Sequence, residues 1–160
     1  MRDRTHMPVR RRRPNGPPQA AGRPLTRPRP ARPVFDLTID GAEMVGLRSA
    51  VAGCADELGA GGRVDDVVLV VHELASNVVR HGGGAGRLRL WREDRRIVCR
   101  VSDSGPGLAD TGALGTEPPS SRVPGGRGLW IARRLADLRI ETGPAGTVVT
   151  ASMSLQGSCP

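Results

Sequence analysis

Apolar residues recur along this chain in two periods. Between Asp65 and His81, the residues Val67, Val68, Val70, Val71, Leu74, Val78 and Val79 fall three and four apart. They form a wide apolar stripe, which predicts a long helix lying on a core. Asp65 and Asp66 occupy its first turn, where the helix dipole favours acids, and Gly82-Gly83-Gly84 ends it. A second helix is predicted from Glu43 to Leu58 on Met44, Leu47, Val51 and Leu58, broken by Gly59-Ala60-Gly61-Gly62. A third carries Leu129, Ile131, Ala132, Leu135 and Ala136. The other period is two: Val34–Ile39, Arg87–Trp91, Ile97–Val101, Leu138–Thr142 and Thr147–Leu155 read as strands. Two of their connections are short turns, Glu93-Asp94-Arg95-Arg96 and Gly143-Pro144-Ala145-Gly146. The order β-α-α-β-β-α-β-β predicts an α+β fold, a mixed or antiparallel sheet with helices packed on one face.

Two segments break the pattern. Residues 108–125 are rich in Gly, Pro, Ser and Thr without periodicity, a loop long enough to be functional by its length. Residues 1–33 hold eight of the fourteen prolines and almost no periodic apolar positions. Such a tail cannot bury enough apolar surface to offset its chain entropy and is expected to be disordered with polyproline II character. The expected organisation is therefore a tail over 1–33, one domain over 34–155 and a flexible C-terminus over 156–160.

Charge changes this picture in one respect. The net charge of +8 belongs to the tail, which holds ten arginines and one aspartate; residues 34–160 hold fourteen arginines and fifteen acids. The tail offers an anionic partner a basic patch. It has no aromatic residue to stack on bases, so contact with nucleic acid is disfavoured against a solvated tail, or sequence upstream of a start at Met7. All 24 basic residues are arginine. That excludes the P-loop and the eukaryotic-type protein kinase, both of which need a lysine on the phosphates. No apolar run approaches the roughly 20 residues of a membrane span, and no secretory signal is apparent, so the expected compartment is the cytoplasm. Cys54, Cys99 and Cys159 lack the paired spacing of a zinc site; the first two are expected to be buried thiols and the third exposed.

Three short segments carry candidate chemistry. Glu73 and Asn77 are four apart, so they share one face of the long helix. A carboxylate there can accept a proton from an incoming hydroxyl, and an amide oxygen is a hard ligand suited to Mg²⁺. By themselves they could equally be a solvent-facing pair. Asp103-Ser104-Gly105-Pro106-Gly107 places an aspartate at a strand end, able to accept from an exocyclic amine such as that of adenine; alone it is also good turn chemistry. Gly126-Arg127-Gly128-Leu129 opens a helix whose free N–H groups could bind phosphate, or is simply a loop meeting a helix. His72-Glu73 begins like a zinc-protease helix, but position 76 is serine and the motif fails. His81 is read as a helix C-terminal residue rather than a catalyst.

Taken in order, these segments resemble the nucleotide-binding superfamily of DNA gyrase, heat-shock chaperones, sensor histidine kinases and mismatch-repair ATPases. Glu73, Asn77 and the run to His81-Gly82 resemble its N box, and Asp103 to Gly107 and Gly126 to Leu129 resemble its two glycine boxes. The single-domain layout and short lid most resemble the anti-sigma serine kinases of actinobacterial type. This resemblance implies a Bergerat-type two-layer sandwich that binds ATP with Mg²⁺. It implies metal ligation by Asn77 and general-base or water-ordering work by Glu73. Adenine recognition falls to Asp103 supported by Thr147, and Gly105, Gly107, Gly126, Gly128 and Leu129 belong to the lid and phosphate cradle. Charge and position add Arg127 or Arg122 as a reach toward the γ-phosphate. The implied activity is phosphate transfer to a serine of an anti-sigma antagonist protein, with sequestration of a sigma factor; a homodimer is a common family arrangement. An ATP-gated binding module without kinase activity stays open as the alternative. No segment of the sequence resembles the phosphoacceptor helices of a sensor kinase, and the arginine–proline tail lies outside the family pattern.

Overall fold

The computed structural model describes residues 34–108 and 127–155. Expectations for 1–33, for the loop beyond Leu108 and for 156–160 lie outside the described residues, and with them Arg122, Gly126 and Cys159. The elements are β1 (Phe35–Ile39), α1 (Met44–Glu57), a 3₁₀ turn (Gly61–Arg63), α2 (Val64–His81), β2 (Gly86–Glu93), β3 (Arg96–Asp103), α3 (Arg127–Leu135), β4 (Asp137–Gly143) and β5 (Gly146–Ser154). The predicted order holds, with the glycine break after α1 drawn into the 3₁₀ turn.

The strands form one sheet in the order β1-β2-β3-β5-β4. Every pairing is antiparallel. Consecutive strands β1 to β3 form a meander. The connection through α3 then carries the chain past one vacant position, so β4 runs parallel to β3 at the sheet's edge. The β4–β5 hairpin turns back and fills the gap, which makes the last strand a central one. The hairpin of β2 and β3 turns on Asp94, held at φ 51 in the left-handed region that aspartate tolerates.

Period-two alternation decides which residues meet the helices. Leu90, Cys99 and Ala151 stand in one cross-strand row and Leu88, Val101 and Val149 in the next. Above them lie Val67, Val70, Val71, Leu74 and Ala75 of α2, all essentially inaccessible to solvent. Leu47, Val51, Cys54 and Ala55 of α1 extend the same core. Burying each such valine or leucine contributes about 1.5–3 kcal/mol, so α2 is held down along its whole length. Two arginines fasten the margins. Arg92 donates to Leu58 O (2.9 Å), satisfying a carbonyl just past α1. Arg63 pairs with Asp66 and donates to Leu135 O (3.1 Å), which ties the start of α2 to the end of α3. On the opposite sheet face, Arg87 grips both Asp36 oxygens at 2.7 and 2.8 Å. That hydrogen bonding holds the Asp36 carboxyl below its usual range. No helix among the described residues is long and apolar enough to cross a membrane.

Two outcomes test this packing. Gly46 lies inside α1 with open space where a Cβ would be. Gly46→Ala is expected to stabilise the fold by about 0.5–1 kcal/mol, read as a higher urea midpoint. Cys99 is fully buried, and burial pushes its thiol up to about 12 from 9.0. The unfolded thiol ionises first, so this contribution is complete below about pH 9 and is lost as pH rises toward 12. Urea midpoints between pH 8 and about 10.5 should therefore fall less in Cys99→Ala than in the unaltered chain.

Candidate functional site

The site is built along the flank of α2. Glu73 and Asn77 are half-buried, while the residues around them on the helix, Leu74, Ala75 and Val78, are buried. Their flank meets the beginning of α3. A Cβ on Gly128 would stand 2.7 Å from Glu73 Oε2 and 3.5 Å from Asn77 Nδ2. The absent side chain is what lets the first turn of α3 approach a carboxylate and an amide. Arg127 is exposed at the first position of α3, and Leu129 is half-buried against the core, where it seats the helix.

The other end of the site is Asp103, at the end of the central strand β3. Its Oδ1 accepts from Gly105 N (2.9 Å) and Thr147 N (3.1 Å). One oxygen thus joins the turn after β3 to the start of β5. Oδ2 accepts no hydrogen bond from any described residue and lies against Gly82, whose Cβ position is 2.8 Å away. Gly105 in turn packs on the Gly82 backbone, with its Cβ position 2.7 Å from Gly82 C. Gly146 has φ +128 and is pressed on the Asp103 carbonyl, a combination open only to glycine. Gly107 lies on Gly143 O.

Both ends adjoin α2 or the glycine that ends it. Glu73 and Gly82 are nine positions apart on and just beyond α2, about 13 Å along the axis. Glu73 and Asn77 meet Gly128, Asp103 meets Gly82, Gly105 N and Thr147 N, and α2 with its terminal glycine joins the two groups. Among the described residues no cluster of three or more His, Cys, Asp or Glu could hold a metal unaided. The Asn77 amide oxygen would suit Mg²⁺ as a single protein ligand, since that ion keeps several waters and commonly completes its shell with phosphate oxygens.

Sequence reasoning passed over Thr142. It stands directly opposite Thr147 across the β4–β5 hairpin, with its Oγ1 3.0 Å from Thr147 Oγ1. Leu108 N donates to that same Thr142 oxygen (2.9 Å). The visible signal was the symmetric run Thr142-Gly143-Pro144-Ala145-Gly146-Thr147, in which two hydroxyls flank a four-residue turn. Gly86 was also passed over; a Cβ there would stand 2.6 Å from Val78 Cγ1, so it lets β2 run beneath the end of α2.

Gly82→Ala isolates the close approach at Asp103. Gly82 has an ordinary φ of −92, so alanine strains no backbone there. Its Cβ would meet Asp103 Cβ and Cγ at 2.7 Å and must push the carboxyl off its two amide donors. A loss of about 1–3 kcal/mol in urea unfolding is expected, against a gain for Gly46→Ala.

Comparison with known proteins gives the family and the fold. The histidine kinase-like ATPase domain family matches residues 38–153. Among solved structures, the histidine kinase domain of the Erythrobacter litoralis EL346 blue-light activated histidine kinase is similar at 21% identity and TM-score 0.50. That match covers 72% of this chain and 60% of the other. The larger E. litoralis EL346 protein gives 22% identity and TM-score 0.46, over 57% of this chain and 31% of the other. The Acinetobacter baumannii histidine kinase AdeS gives 14% identity and TM-score 0.48, over 77% and 68%. This chain thus spans 60% and 31% of the length of the two E. litoralis structures. No curated protein matches it. With the family match reaching from β1 to β5 and an antiparallel sheet under helices on one face, the chain belongs to the histidine kinase-like ATPase domain family.

Proposed function

We infer that this chain binds Mg-ATP and is a protein-serine kinase of the anti-sigma type, acting on an antagonist protein and sequestering a sigma factor. The observation that carries the reading is the placement of Glu73 and Asn77 against the first turn of α3, with Asp103 packed on the glycine that ends α2. Adenine presents an amine to a carboxylate, and a triphosphate presents charge to a helix start; this reading assigns the first to Asp103 and the second to the beginning of α3. In the reaction, Glu73 takes the proton of a seryl hydroxyl as its oxygen bonds to the γ-phosphorus. The bond to the bridging oxygen breaks and ADP leaves. Asn77 would hold Mg²⁺ through its amide oxygen, and the ion would neutralise phosphate charge. Asp103 accepts from the adenine amine, and Arg127, exposed at the helix start, can reach the γ-phosphate.

The serine specificity rests on the likeness of the N and glycine boxes to the anti-sigma kinases; the solved neighbours are histidine kinases. Acid stability separates the two chemistries, because a phosphoserine survives acid and a phosphohistidine does not. Incubated with radiolabelled ATP and candidate antagonist proteins, the chain should give acid-stable label. Glu73→Ala should lower transfer at least about 100-fold while ATP affinity, read by calorimetry, changes little. Asn77→Ala should weaken Mg-ATP binding, and Asp103→Ala should abolish it. Transfer at normal rate by Glu73→Ala overturns the base assignment. ATP binding without label on any partner favours an ATP-gated binding module.

A further inference from the structure

Thr147 is the one buried polar side chain among the described residues, 5% exposed. A buried hydroxyl must place both its proton and its lone pairs. Its oxygen has one hydrogen-bond partner among the described residues, Thr142 Oγ1 at 3.0 Å, across the hairpin. Which hydroxyl donates decides what Thr147 offers to the cleft. The surroundings favour one direction. Asp103 Oδ1 sits on the Thr147 backbone N–H at 3.1 Å, and Oδ2 is open beside it. A hydroxyl proton turned toward that carboxylate side is stabilised by its charge, whereas lone pairs turned there are repelled. Thr142 is exposed and already accepts from Leu108 N, so it has its own proton to give.

We propose that Thr142 sets the purine selectivity of this site, by donating its hydroxyl proton to Thr147 and so turning the Thr147 proton into the cleft. The inference rests on the ATP-binding reading above and deepens it. The site then offers an acceptor at Asp103 Oδ2 and a donor at Thr147, the residue whose N–H holds the other oxygen of that carboxylate. Adenine matches that pair with its amine and its ring nitrogen N1, directly or through one water. Guanine opposes it twice, with a carbonyl toward the carboxylate and an N1–H toward the hydroxyl. Thr142 does not touch the base; it is a positioning residue that acts through Thr147. It also holds Leu108, where the chain leaves the first glycine box, so the same hydroxyl orders the floor beneath the base.

Calorimetry of the full chain tests this with Mg-ATP, Mg-GTP and the Mg complex of 1-deaza-ATP, in which N1 is replaced by C–H. The unaltered chain should bind ATP at least about tenfold more tightly than either analogue. In Thr142→Val, which keeps shape and loses the proton, the 1-deaza penalty should shrink to about twofold and GTP should gain relative to ATP. Thr142→Ser should restore both preferences, which a merely structural defect would not allow. Equal binding of ATP and 1-deaza-ATP by the unaltered chain overturns the proposal and needs no variant to fold. So does an undiminished penalty in a folded Thr142→Val. Absence of any ATP binding by the unaltered chain is a different failure, since it removes the nucleotide reading itself.

Discussion

A single carboxylate oxygen organises the candidate site. Asp103 Oδ1 accepts two backbone amides, from Gly105 and from Thr147, 44 residues beyond the aspartate in sequence. A charged acceptor taking two N–H donors is stronger than a neutral pair and has defined geometry. The other oxygen accepts no hydrogen bond from a described residue and lies against Gly82. Glycine surrounds this carboxylate for a related reason: at Gly82 and Gly146 the backbone comes within van der Waals contact of Asp103, and Gly105 packs on the Gly82 backbone. The remainder of the site follows from α2, whose core face is anchored by valines and leucines. Its flank can carry a carboxylate and an amide because α3 presents a glycine to them.

The helices and strands were legible because their apolar positions follow simple periods. The stripe from Val67 to Val79 and the alternation in Arg87–Trp91 and Ile97–Val101 each specify one element without outside help. Strand order was not legible. Nothing in Thr147–Leu155 says that β5 inserts between β3 and β4, since pairing depends on where a crossover helix lets the chain return. The sheet, expected to be mixed or antiparallel, is antiparallel in every described pairing, and the strand running parallel to β3 is separated from it by β5.

Site residues divided along the same line. Glu73 and Asn77 declared themselves because polar groups interrupt an apolar helix at one-turn spacing. Asp103 could have been an ordinary turn residue; its bond to Thr147 N is a long-range contact that no local pattern contains. Thr142 escaped notice because a threonine at a strand end looks like β-propensity, and its meaning comes from facing Thr147 in register. Gly86 was invisible for a similar reason, as it answers to Val78 on another element.

The late position of β5 has a consequence for how the protein comes into being. Synthesis delivers the N-terminal elements first. While the ribosome is still short of residue 147, the aspartate at the end of β3 lacks one of its two amide donors, and the middle of the sheet lacks a strand. The α2 flank and the first glycine box are by then complete in sequence yet have nothing to close them. A nascent chain therefore holds Asp103 by one amide until β5 has emerged, and a chain truncated before Thr147 would lack both that bond and the strand beside β3.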